Sequence, residues 1–202
     1  MKIIYLLQLR KKEFTRSEVM GKTGLNAIET NRLLRDFASS GMLKHEEKGK
    51  YVLLPRGRVK LTVVLTGGVY DGLHRGHLAV LTEARTYGDV LVVVVATDTT
   101  VKTLKGHSPV FPEDDRRVLV EALKPVDAAI LGYTDVGPGY GRVIDEVNPN
   151  VIALGYDQAP IARAVTELIE KSRLNVRVVL LSKFDEEGSV LSSAYRVRFD
   201  RP

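Results

Sequence analysis

Leu61-Thr62-Val63-Val64-Leu65 runs almost directly into Gly67-Gly68-Val69-Tyr70-Asp71-Gly72-Leu73-His74-Arg75-Gly76-His77. The first piece is an apolar, β-branched run, the pattern of a strand covered on both faces. The second is a glycine-bearing loop that leads into a helical pattern over 78–87. The theme returns downstream. Apolar runs at 90–96, 128–131, 151–154 and 176–181 alternate with helical patterns at 113–123, 140–147 and 160–171. Buried strands alternating with helices predict an α/β fold, a Rossmann-like doubly wound parallel sheet of five strands. Such a sheet binds ligands beyond the carboxyl ends of its strands, which directs attention to the loop after the first one.

That loop has the chemistry of an anion site. Its glycines let backbone approach a phosphate closely, and the helix start behind it offers unpaired N–H groups and a positive dipole end. His74 and His77 stand three apart across the helix start, so both rings can project to one side and donate to phosphoryl oxygens. Gly76 between them leaves room for the phosphate. Gly68, Val69, Tyr70 and Gly76 are therefore the candidate nucleotide contacts of the loop. Phosphoryl and nucleotidyl transfer need positioning and charge stabilisation rather than covalent catalysis. Asp71 has the bland alternative of ordering the loop. Zinc would need a third ligand, and no HExxH or other His/Cys cluster supplies one, so no protein metal site is expected. Gly67 to Gly72 lacks the G-x-G-x-x-G spacing of a dinucleotide fingerprint.

The chain upstream has a different character. Residues 1–60 carry 14 Lys/Arg against 6 Asp/Glu, a net +8, whereas residues 61–202 carry 16 against 19. A basic head on a mildly acidic body predicts two domains, 1–58 and 59–202. A helix over 3–10, a short helix over 17–22 capped by Thr15 or Ser17, a turn at Thr23-Gly24-Leu25, and a longer helix capped by Asn26 follow in order. Gly41 ends the last helix. Runs at 42–45 and 50–54 make a hairpin with a charged tip, and Pro55-Arg56-Gly57-Arg58 reads as a linker. This order resembles a winged helix-turn-helix domain. The resemblance implies candidate DNA contacts at Asn31, Arg32 and Arg35 on the second helix of the pair, and at Lys48 and Lys50 on the wing. Such domains also serve as packing or dimerisation modules, and that reading stays open.

Composition bounds the rest. Hydrophobic residues at 44% and charged residues at 27% fit a soluble globular protein. Cysteine is absent, which excludes disulfides and thiolate metal sites. No apolar run approaches the length needed to span a bilayer, and the start shows no signal peptide, so a cytoplasmic location without membrane association is expected.

The 67–77 loop is similar to the HxGH signature of the nucleotidyltransferase superfamily, in its cytidylyltransferase-like branch. The blocks Lys105-Gly106 then Pro109, Glu113 to Arg116, and Val126-Asp127 match that family in the right order. Asn148-Pro149-Asn150-Val151-Ile152-Ala153-Leu154-Gly155-Tyr156-Asp157-Gln158 resembles a block of archaeal FAD synthases. The match covers about residues 62–195. The resemblance implies transfer of AMP from ATP, carrying Mg²⁺, onto FMN, with FAD and pyrophosphate as products. It implies that His74 and His77 hold the α- and β-phosphates and that Lys105 and Arg116 bind phosphates. It places Gly155 and Asp157 near the ribose and base, and Ser192 and Ser193 at a further phosphate site. Two positions depart from the family: Val69 stands where it has Thr, and Ala194 where it has a third hydroxyl.

Other functions remain open at this point. One is a cytidylyltransferase acting on a polyol- or sugar-phosphate, with a phosphopantetheine adenylyltransferase further off. Another is a DNA-binding regulator whose nucleotidyltransferase-like domain senses a nucleotide or flavin. A homodimer is expected, because winged helices often pair across a two-fold axis.

Overall fold

The structure is a computed structural model and describes residues 1–135 and 138–183. The chain divides into two compact units, Met1–Thr62 and Val63–Pro202.

The first unit runs α1 (Lys2–Lys11), β1 (Phe14–Thr15), α2 (Arg16–Thr23), α3 (Ala27–Ser39), β2 (Leu43–His45), β3 (Lys50–Leu53) and α4 (Pro55–Arg58). Helices α2 and α3 start where their caps dictate. Thr15 and Asn26 each close a capping box, with Glu18 and Glu29 at the third helical position. Gly24 adopts the left-handed conformation that ends α2. The three strands form one antiparallel sheet in the order β1-β3-β2. Ile4, Leu7, Phe14, Val19, Leu34 and Leu43 are buried at its centre.

Two features of this unit differ from the sequence expectation. Residues 55–58 are a short helix rather than a linker: Pro55 starts it, and Gly57 and Arg58 are buried. A Cβ at Gly57 would meet the Met42 carbonyl oxygen at 2.7 Å, so only glycine fits there. The Arg58 guanidinium donates to the Leu61 carbonyl at 2.7 Å and lies over the Tyr5 ring. Strand β1 was also unexpected; two residues carry no periodicity to read.

The second unit contains β4 (Val63–Gly68), α5 (Arg75–Arg85), β5 (Val90–Val95), α6 (Asp98–Lys105), α7 (Glu113–Glu121), β6 (Ala128–Leu131), α8 (Pro138–Val147), β7 (Val151–Leu154), α9 (Ala159–Ser172) and β8 (Arg177–Leu180). All five strands are parallel, in the order β6-β5-β4-β7-β8. This is the doubly wound, Rossmann-like arrangement. β4 begins two residues later than expected and extends into the glycines. Alternation along the strands separates two faces. Val64, Leu91, Val93, Val95, Val151 and Ala153 pack with Leu81 and Ala84 of α5 and Val120 of α7. Leu65, Val94, Ile152 and Leu154 look toward α8 and α9. Helix α6 escaped the sequence reading because Thr97, Thr99, Thr100 and Val101 form a β-branched run of low helix propensity. Thr97 caps it and left-handed Gly106 ends it.

The order reverses at β4, which has β5 on one side and β7 on the other. β4 pairs with β5 as far as Gly68, but with β7 only at Val64 and Leu65. The carboxyl ends of β4 and β7 therefore part, leaving a crevice at the topological switch point.

Candidate active site at the carboxyl ends of the sheet

The loop leaving β4 bends sharply. Tyr70 has φ of 55°, a left-handed conformation that costs a non-glycine residue on the order of 1 kcal/mol. Its ring folds back over Gly68, where a Cβ would meet the ring at 3.0 Å. It is 5% exposed and its hydroxyl is hydrogen-bonded with Thr66. Burial of the ring offsets the backbone strain and drives the phenol's pKa upward.

His74 and His77 flank the start of α5 with ring centroids 3.9 Å apart, and the Tyr70 ring packs 5.3 Å from His77. His74 is the N-cap of α5: its Nδ1 accepts the Gly76 N–H at 3.2 Å. That bond fixes the neutral tautomer with hydrogen on Nε2, leaving an N–H donor at the other ring nitrogen. His77 Nδ1 is buried with no hydrogen-bond partner among the described residues. Burial first, then the charges of His74 and Lys105, lower the His77 pKa to about 4. Burial also lowers that of His74. Two neutral imidazoles thus stand side by side at the positive end of a helix, next to the crevice. Lys105, the exposed last residue of α6, is near enough for its charge to act on His77.

Arg116 is placed differently. It is 1% exposed and all of its bonds go to the protein. Its Nε donates to Phe111 O at 2.9 Å, one terminal nitrogen to Val69 O at 2.6 Å, and the other to Asp98 at 2.6 Å. It supports the loop from behind. Val69 joins through its carbonyl, which any residue supplies. Asp71 accepts the N–H groups of Val110 and Phe111 at 2.9–3.0 Å, and Glu113 accepts the Asp98 N–H at 2.6 Å. Neighbouring Arg117 pairs with Asp114 and Glu121 on its own helix.

Across the crevice, Gln158 bridges the parted strand ends. Its amide donates to Gly67 O at 3.1 Å and accepts the Gly155 N–H at 2.8 Å. Asp157 is exposed, with a carboxylate oxygen 2.9 Å from where a Gly155 Cβ would stand. Sequence reading missed Asp98, Glu113 and Gln158 as site-builders, because each bonds to a group far away in the chain. Ser192, Ser193 and Ala194 lie outside the described residues.

Residues 65–198 match the family described as Cytidylyltransferase-like. The chain belongs to the cytidylyltransferase-like family. It is 46% identical over 123 residues to a FAD synthase from Aciduliprofundum boonei, covering 61% of this chain and 80% of that protein. The solved structure of the lipopolysaccharide core biosynthesis protein from Thermoplasma volcanium is 40% identical and superposes with a TM-score of 0.57, covering 62% of this chain and 99% of that one. The pantoate-beta-alanine ligase of Francisella tularensis shares the fold alone, at 12% identity and a TM-score of 0.52, over 68% of this chain and 66% of that one. The matched residues of this cytidylyltransferase-like chain fall within its second unit.

In the first unit, Arg32 and Arg35 are exposed on α3 and Lys48 is exposed in the turn between β2 and β3. Asn31 accepts from Arg16 at 3.2 Å, and Lys50 pairs with Glu13 at 2.5 Å. No helix among the described residues is long and apolar enough to cross a membrane.

Proposed function

We propose that this chain is a nucleotidyltransferase that joins AMP from ATP to FMN, giving FAD and pyrophosphate. The observation that carries the reading is the His74–His77 pair, two neutral rings 3.9 Å apart at the start of α5 beside the crevice. Similarity to FAD synthases of 39–46% identity supplies the acceptor.

An oxygen of the FMN phosphate attacks the α-phosphorus of ATP. A bond forms between them as the bond from the α-phosphorus to the bridging oxygen breaks, and pyrophosphate leaves with that electron pair. His74 donates through Nε2 to phosphoryl oxygens, and His77 donates beside it. Lys105 and the start of α5 add positive potential where charge builds. Arg116 positions the loop through Val69 and Asp98, and Gly155 and Asp157 line the nucleotide's side of the crevice. No group of three or more acidic or imidazole side chains suited to a metal exists among the described residues. Mg²⁺ enters with ATP as the MgATP substrate, as the family resemblance implies.

The test is pyrophosphate release from MgATP or MgCTP offered with FMN, glycerol 3-phosphate or 4′-phosphopantetheine. Release with ATP and FMN alone supports the reading; release only with CTP and a polyol phosphate replaces it with the cytidylyltransferase alternative.

A second reading concerns the first unit. Its two box-capped helices, antiparallel sheet and exposed Arg32 and Arg35 support a winged helix-turn-helix that binds DNA. Each phosphate neutralised adds about −0.9 to the slope of log affinity against log salt. A gel shift without steep salt dependence would remove it.

A further inference from the structure

An apolar cavity of about 180 Å³ lies between the sheet and α8 and α9. Leu65, Val94 and Ile152 of the strands form its floor, and Val143, Ile144 and Val165 its roof. None of the mechanism's charged groups lines it. One wall is formed by residues 67–69, the stretch from which the histidine loop departs. Polar groups gather elsewhere on its lining, at Thr100, Tyr133 and Asp135. Tyr133 is held in place from outside: the Arg142 guanidinium lies over its ring at 4.1 Å, and its hydroxyl donates to Glu146 at 3.1 Å. Arg142 in turn pairs with Asp135.

A hydrocarbon-lined cavity of roughly 150 Å³ holds a benzene ring. Polyol chains fit this lining badly, because their hydroxyls would be buried without partners. An amphipathic tricycle fits well, with a methylated benzene edge at one end and a hydrogen-bonding pyrimidine edge at the other.

We propose that this cavity seats the dimethylbenzene edge of the FMN isoalloxazine ring, with the pyrimidine edge at the Thr100–Tyr133–Asp135 side, and so selects flavins over polyol phosphates. The assignment rests on the FAD synthase reading for its ligand, and is tested apart from it by using riboflavin, which carries no phosphate to hold.

The probe is quenching of riboflavin fluorescence by the full chain, alongside KM for FMN and for ATP in pyrophosphate release. Val143→Phe fills the cavity, and Leu104→Asn removes an apolar group from its lining at a site 58% exposed, where folding does not depend on it. Riboflavin binding by the native chain is expected. Its loss by about tenfold in Val143→Phe, and a smaller loss in Leu104→Asn, should accompany a raised KM for FMN and an unchanged KM for ATP. Three results overturn the cavity assignment: no quenching by the native chain, unchanged riboflavin binding in both folded variants, or a rise in KM for ATP rather than FMN. Riboflavin binding without FMN turnover would sink the FAD synthase reading and leave the cavity as a flavin site.

Discussion

The two units place their polar side chains differently. In the first, the bonds that start α2 and α3 are local: Thr15 with Glu18 and Asn26 with Glu29, each three residues apart, while Gln8 ties α1 to Leu53 of β3 across 45. In the second, long-range bonds join Arg116 to Asp98 across 18 residues, Asp71 to Val110 across 39, and Gln158 to Gly67 across 91. Local caps start helices and leave the surface free. Those three long-range bonds converge on the strand ends beside His74 and His77 and hold a strained loop there. The second unit thus gathers long-range polar bonds at one end of its sheet, whereas the first uses its own to cap helices and to tie α1 to β3.

Changes at the convergence should therefore hurt turnover, and changes at the caps should not. The largest effect is expected for His77→Ala: a loss of turnover of about two to four orders of magnitude, with the fold intact by circular dichroism. Next is acid. The folded His77 pKa, about 4, is below its unfolded value near 6.5, so the neutral form stabilises the fold. That contribution, about 3 kcal/mol, is complete above pH 6.5 and is lost as pH falls toward 4. Denaturant midpoints measured across this window should fall for the native chain and fall less for His77→Asn.

Arg116→Met should cost about 2–4 kcal/mol in urea unfolding and lower kcat as well, because Val69 O and Phe111 O lose their donor. Gln158→Leu should cost about 1–2 kcal/mol and raise KM for ATP more than for FMN, since it opens the β4–β7 bridge. Asn26→Ala should cost about 1 kcal/mol in the first unit and leave turnover unchanged. A drop in turnover there, or none in Arg116→Met, would break the contrast between the units.

The same contrast explains what the sequence made legible. Thr15, Asn26 and Gly24 announced their helices because cap and helix are neighbours in the chain. The inner strands announced themselves because parallel strands buried on both faces are unbroken apolar runs, and the half-exposed edge strand β8 still carries Val178, Val179 and Leu180 in a row. His74 and His77 were visible because three residues across a helix start bring two rings together. The burial of Arg116 was not visible, since its charge reads as solvent-facing until Asp98, Phe111 and Val69 are placed around it. The helix at 55–58 was hidden by Pro55 and Gly57, which read as breakers but here start the helix and fit a close contact with Met42. The cavity was hidden because its walls come from strands and helices far apart in sequence.

In the function proposed, the paired histidines at the end of β4 carry AMP transfer to FMN. The most direct test is FAD formation by the full chain with MgATP and FMN, run beside His77→Ala. The native chain should give FAD and pyrophosphate in equal amounts, and the variant almost none. Equal rates in the two, or no FAD from folded native protein, would contradict it.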